Sequence, residues 1–132
     1  MKLLFVLIIS FFTFNLSAQP IKLKKKWQKF YVGKIPAYEV SLNNQAVQID
    51  AVQIKVQLTK DSIYIQVGSA KWAGIYSASK LEKKKVEITG RMIGTGIPEI
   101  LKLDMREKKI IRKGLFPQPD AVLNRIKSYS NF

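Results

Sequence analysis

A two-residue rhythm of apolar side chains runs through most of the chain, and it dictates pleated strands. It is clearest at Val52, Ile54, Val56 and Leu58, which alternate with Gln53, Lys55 and Gln57. Successive strand side chains point to opposite faces, so one set turns inward and the other outward. Lys60-Asp61 separates this run from Ile63, Ile65 and Val67, and two such runs joined by a few polar residues make a hairpin. The same rhythm marks Tyr38, Val40 and Leu42 before the turn signal Asn43-Asn44. Val47 and Ile49 stand in the opposite phase to Val52, which calls for a turn or bulge at Asp50-Ala51.

Further along, Ala70 to Ala78 carries Trp72, Gly74, Tyr76 and Ala78 on one face, with Lys71, Ala73, Ile75 and Ser77 on the other. Lys80 to Lys85 reads as a charged turn. Val86, Ile88 and Met92 form the next inward set, and Gly90 in an inward slot marks a bend or bulge. A loop at Gly94-Thr95-Gly96-Ile97-Pro98 leads to Leu101, Leu103 and Met105, and Glu107-Lys108-Lys109 turns the chain into Ile110 to Leu115. Pro117 and Pro119 end the strand region. Asp120 then offers a helix N-cap, and Val122, Leu123, Ile126 and Tyr129 follow with helical spacing, predicting a short terminal helix over 120–129.

The fold class that results is mainly β: an antiparallel meander of about seven or eight strands with a short C-terminal helix. A small barrel, a half-barrel or a sandwich would each hide the sheet edges. No long helix is available for a parallel crossover, and no internal repeat or interdomain linker is visible. Residues 35–132 read as one β domain. Residues 19–34 form a basic arm that includes the region of a first strand, with Trp27 docking on the core.

The start of the chain has a different character. Met1-Lys2 is followed by an apolar run from Leu3 to Phe14 and then by Asn15-Leu16-Ser17-Ala18-Gln19. One positive charge, a short greasy stretch and a small-residue exit predict a secretory signal peptide over residues 1–18, cut after Ala18. The run is shorter than the about 20 residues of a membrane span, so no integral span is expected after processing. The competing reading is an uncleaved anchor, because lysines beside an apolar segment tend to stay in the cytoplasm and Lys22, Lys24, Lys25, Lys26, Lys29 and Lys34 follow at once. The cleaved form implies a periplasmic or extracellular protein.

Charge narrows the partners. The formal net charge is +14, and only Lys2 leaves with the leader. Such a chain favours polyanions, and outside the inner membrane these are acidic lipids, lipopolysaccharide and acidic glycans. Lys22, Lys24, Lys25, Lys26 and Lys29, interleaved with Trp27 and Phe30, are the candidate anion-binding residues. The same mixture suits single-stranded nucleic acid, which export makes the poorer partner. The plain alternative is a solvated edge whose lysines block edge-to-edge aggregation.

The chain has no Cys and no His. Thiol and imidazole catalysis, redox dithiols and ordinary zinc sites therefore fall away, and no cofactor, metal site or catalytic residue is predicted. Nine acidic residues keep paired-carboxylate hydrolysis formally open, with Glu99 and Asp104 the acids of most interest. Gly94-Thr95-Gly96 lacks the further glycine and following helix of a dinucleotide fingerprint, and Gly33-Lys34 is followed by Ile35 where a phosphate loop needs Ser or Thr.

Tyr64, Trp72 and Tyr76, with Gln53, Gln57 and Gln66 nearby in phase, are the candidate ligand-contact aromatics. The duller account places Trp72 and Tyr76 in the core, with Gly74 leaving room between them. A lumen lined by Trp72, Tyr76, Met92 and Met105 would take a small apolar ligand, whereas a solid core would leave a protein partner. The layout of an N-terminal Trp27, a run of hairpins and a C-terminal helix resembles small lipocalin-like barrels. That resemblance is one of pattern. The family's opening Gly-x-Trp is missing, since Lys25-Lys26 precedes Trp27, and no functional residue is carried over. The reading is an exported, non-catalytic β protein that binds a small apolar ligand or an envelope protein. The alternative is a peripheral envelope protein that grips anionic lipid or glycan through its lysine arm.

Overall fold

The computed structural model describes residues 19–127. The expected leader, residues 1–18, lies outside them, as does Tyr129. Eight strands form a closed ring: β2 (Phe30–Ile35), β5 (Val52–Leu58), β6 (Ser62–Val67), β7 (Ala70–Glu82), β8 (Lys85–Met92), β9 (Glu99–Asp104), β10 (Lys109–Arg112) and β11 (Ala121–Ile126). Each pairs antiparallel with the next. The last returns to the first, with Val122 opposite Lys34 and Ile126 opposite Phe30, so the sheet closes into an up-and-down barrel without free edges.

The alternation read from the sequence decides what fills the lumen. Ile54, Val56 and Leu58 of β5 are buried, as are Ile63 and Ile65 of β6, Val86 and Ile88 of β8, and Leu101 and Leu103 of β9. Burial of each such side chain contributes about 1.5–3 kcal/mol. Between β2 and β5 the chain makes a separate hairpin, β3 (Tyr38–Leu42) and β4 (Gln45–Ile49). Asn43 and Asn44 both take positive φ at its tip, the requirement of a two-residue turn matching strand twist. The change of phase at Asp50-Ala51 is therefore a passage from one sheet to another.

Two expectations are corrected. The charged segment from Lys80 does not turn at once. β7 runs on to Glu82 through a register shift between Lys80 and Glu82, leaving Lys83-Lys84 as the turn. The extra length of β7 gives an edge to the short β1 (Pro20–Ile21), whose residues face Ala78 and Ser79.

The larger correction is the C-terminus. Residues 121–126 form strand β11, not the helix predicted over 120–129, and the described residues contain no α-helix. Val122, Leu123 and Ile126 fit helical spacing, but Ala121 and Leu123 are buried while Val122 is 49% exposed, which is period two. Tertiary pairing outweighs local pattern here, because β2 and β10 would each be left with an open edge. Asp120 does not cap a helix; its Oδ1 accepts the Gly114 N–H at 2.8 Å and so shapes the β10–β11 loop.

The basic arm is part of the body. A 3-10 turn at Lys25–Trp27 carries Trp27 under one end of the barrel, where Leu23 and Trp27 are buried. Tyr31 donates its hydroxyl to the Trp27 carbonyl at 2.8 Å. The Arg125 guanidinium lies 4.9 Å from the Trp27 ring centroid and its Nη1 donates to the Lys26 carbonyl. This cation over an indole face fastens the arm to β11 and plugs that end.

Candidate functional site

The opposite end is open. The β3–β4 hairpin, the β8–β9 loop and the β10–β11 loop surround a cavity of about 380 Å³ that reaches into the lumen. Its walls are largely apolar: Ile65, Trp72, Met92, Ile97, Leu115 and Pro117. Trp72 arrives there through register, because it faces Ile65 across β6–β7 and shares that residue's inward phase.

The floor is polar. Arg112 of β10 and Glu99 of β9 occupy inward slots, in phase with Ile110 and with Leu101 and Leu103. Arg112 donates through Nε to Glu99 Oε2 at 3.0 Å and through Nη2 to Glu99 Oε1 at 2.9 Å, a two-pronged ion pair. Nη1 donates to Gln118 Oε1. The side chains of the pair are only 5% and 12% exposed. A charge pair so placed is weak evidence for stability, since desolvation offsets most of the attraction. It does fix polar groups among the apolar walls of the chamber.

The residues named from the sequence divide among three places. Trp72 and Met92 line the mouth; Tyr76 and Met105 do not. Tyr64 and Trp72 border a shallow outer depression with Gln57, Gln66 and Lys71. Tyr76 is absent from it: its hydroxyl donates to the carbonyls of Thr59 and Lys60, clasping the β5–β6 turn. Partial burial, followed by the charge of Asp61, pushes its phenol above the usual value. Gln53 is exposed elsewhere on β5.

Three of the five arm lysines gather at the plugged end. Lys22, Lys24 and Lys26 meet Lys83 and Lys84 of the β7–β8 turn around a groove of about 440 Å³. Leu23, Trp27, Val86 and Met105 supply its floor, and no acidic side chain lines it. Lys25 is exposed beside the groove without lining it, and Lys29 is half-buried at the start of β2. Lys26 Nζ sits 5.0 Å from the Trp27 ring centroid.

Among the described residues, no three acidic side chains stand together as a metal site, and no helix is long and apolar enough to cross a membrane. The mouth contains one carboxylate, Glu99. Asp104 sits at the opposite turn, where its Oδ1 accepts the N–H groups of Glu107 and Arg106, and these bonds hold its carboxyl below the usual range.

Sequence reasoning missed Arg112, Gln118, Tyr38 and Leu115. Only Arg112 left a signal, a charge in the inward phase set by Ile110. Tyr38 arrives on β3 and Leu115 and Gln118 on the β10–β11 loop, elements whose proximity exists only once the ring has closed. Fold and cavity together define a closed antiparallel β-barrel with one plugged end and one open, chambered end. No protein-family model matches the chain, and no curated protein or solved structure is significantly similar to it.

Proposed function

We propose that this is an exported, non-catalytic binding protein that holds a small apolar or amphipathic ligand in the open end of its barrel. The observation that carries the reading is the largely apolar chamber of about 380 Å³, with Glu99, Arg112 and Gln118 among its lining. The leader pattern at residues 1–18 supports export to the periplasm or beyond. The single carboxylate of the chamber is engaged by Arg112, which supports binding over hydrolysis. The test is titration with the neutral dye N-phenylnaphthylamine. Its emission should rise on binding to the protein, and Met92→Trp, which fills the chamber, should weaken that binding. A dye that ignores the protein, or binds the variant equally well, rules the reading out.

A second reading is favoured by the lysine-walled groove. The plugged end would rest on an anionic membrane or glycan of the envelope, each lysine adding about 1 kcal/mol near an acidic leaflet. Deleting the arm is a poor test, because Leu23 and Trp27 belong to the core. Lys83→Gln with Lys84→Gln is cleaner. This pair should release the protein from acidic vesicles, in a salt-dependent manner, far more than Lys71→Gln with Lys113→Gln at the other end. Equal losses would reduce the effect to net charge.

A further inference from the structure

The polar groups that line the mouth bear on the head group a ligand there would carry; the argument rests on the mouth being a ligand site. A guanidinium has five N–H donors. Arg112 donates two to Glu99 and one to Gln118, which leaves two, and Arg112 lines the chamber. Gln118 and Tyr38, whose side chains carry further donors, line the same chamber. The chamber is thus rich in donors, yet its ion pair carries no net charge.

This balance discriminates between head groups. A ligand carboxylate reaching for the spare N–H groups of Arg112 would also approach the Glu99 carboxylate held on the same guanidinium. With the pair 5% and 12% exposed, that repulsion is poorly screened and opposes the attraction to Arg112. An ester carbonyl or hydroxyl accepts the same hydrogen bonds and adds no charge. The apolar walls at Trp72, Met92, Ile97 and Leu115 are indifferent to this choice and receive the chain.

We propose that the mouth selects amphiphiles with an uncharged, acceptor-rich head group over those ending in a carboxylate, and that Glu99 sets the preference. The test uses two probes with the same acyl chain, laurate and monolaurin, competing against the neutral dye at neutral pH. Monolaurin should bind the unmodified protein about tenfold or more tightly than laurate. Glu99→Gln leaves the charge of Arg112 uncompensated and should invert the order. Glu99→Leu with Arg112→Leu removes both charges together, a change that buried pairs often tolerate, and should erase the preference. Laurate binding the unmodified protein as well as monolaurin, or an order unchanged by Glu99→Gln, overturns the inference. Two probes that bind without discrimination sink the head-group rule alone, whereas two that fail to bind at all sink the mouth reading and this inference with it.

Discussion

Single residues in this barrel are constrained where backbones cross closely and where a polar atom is buried. Gly33 and Gly74 illustrate the first case. A Cβ on Gly33 would strike the Val122 carbonyl of the adjoining strand, and one on Gly74 would strike the Arg91 carbonyl. Neither neighbour is a movable side chain, so Gly33→Ala and Gly74→Ala should each cost about 2 kcal/mol, read from urea unfolding. Tyr31 illustrates the second. Burial pushes its phenol well above the ordinary value, with Arg125 pulling the other way. A folded-state value raised above the unfolded one means that the contribution is complete below about pH 10 and is lost as the pH climbs past it. The urea midpoint should therefore fall on moving from neutral to strongly alkaline solution. Tyr31→Phe should flatten that fall, while losing about 1 kcal/mol at neutral pH with its bond to the Trp27 carbonyl.

Among the elements, β11 gives the sharpest test, because strand and helix bury different residues. In the strand Leu123 is fully buried and Val122 half-exposed. Leu123→Ala should cost about 3 kcal/mol, whereas Val122→Thr should fall within about 0.5 kcal/mol of neutral; a helix would make both costly. The strands β5, β6, β8 and β9 were legible because each alternates strictly and needs no partner to reveal it. β11 was not, since Val122, Leu123 and Ile126 fit helical spacing, while the inward pair Ala121 and Leu123 is too short a signal to mark a strand until the waiting edges of β2 and β10 decide. The extension of β7 past Lys80 was hidden for a related reason: Lys80 and Glu82 look like turn residues until β8 provides a partner on the far side. The site followed the same division. Trp72 and Met92 carry a recognisable type and phase and Glu99 stands out only as an acid, but Gln118 and Leu115 belong to a loop, and nothing in their neighbours foretells a lumen-facing position.

For the whole molecule, the placement of Gln19 bears on processing. Its carbonyl accepts the Lys80 N–H, and β1 follows at once, so a cut after Ala18 leaves the barrel and its added strand intact. Under the exported reading proposed above, the recovered protein should have the mass of a chain beginning at Gln19, and full-length mass in the membrane fraction would favour the anchored form. The seam between β2 and β11 has its own consequence. It joins the earliest rung of the ring to the latest, so a chain threaded through a narrow channel N-terminus first cannot shut until its tail has cleared the exit. For an exported chain, as proposed, this topology would place closure of the ring after passage.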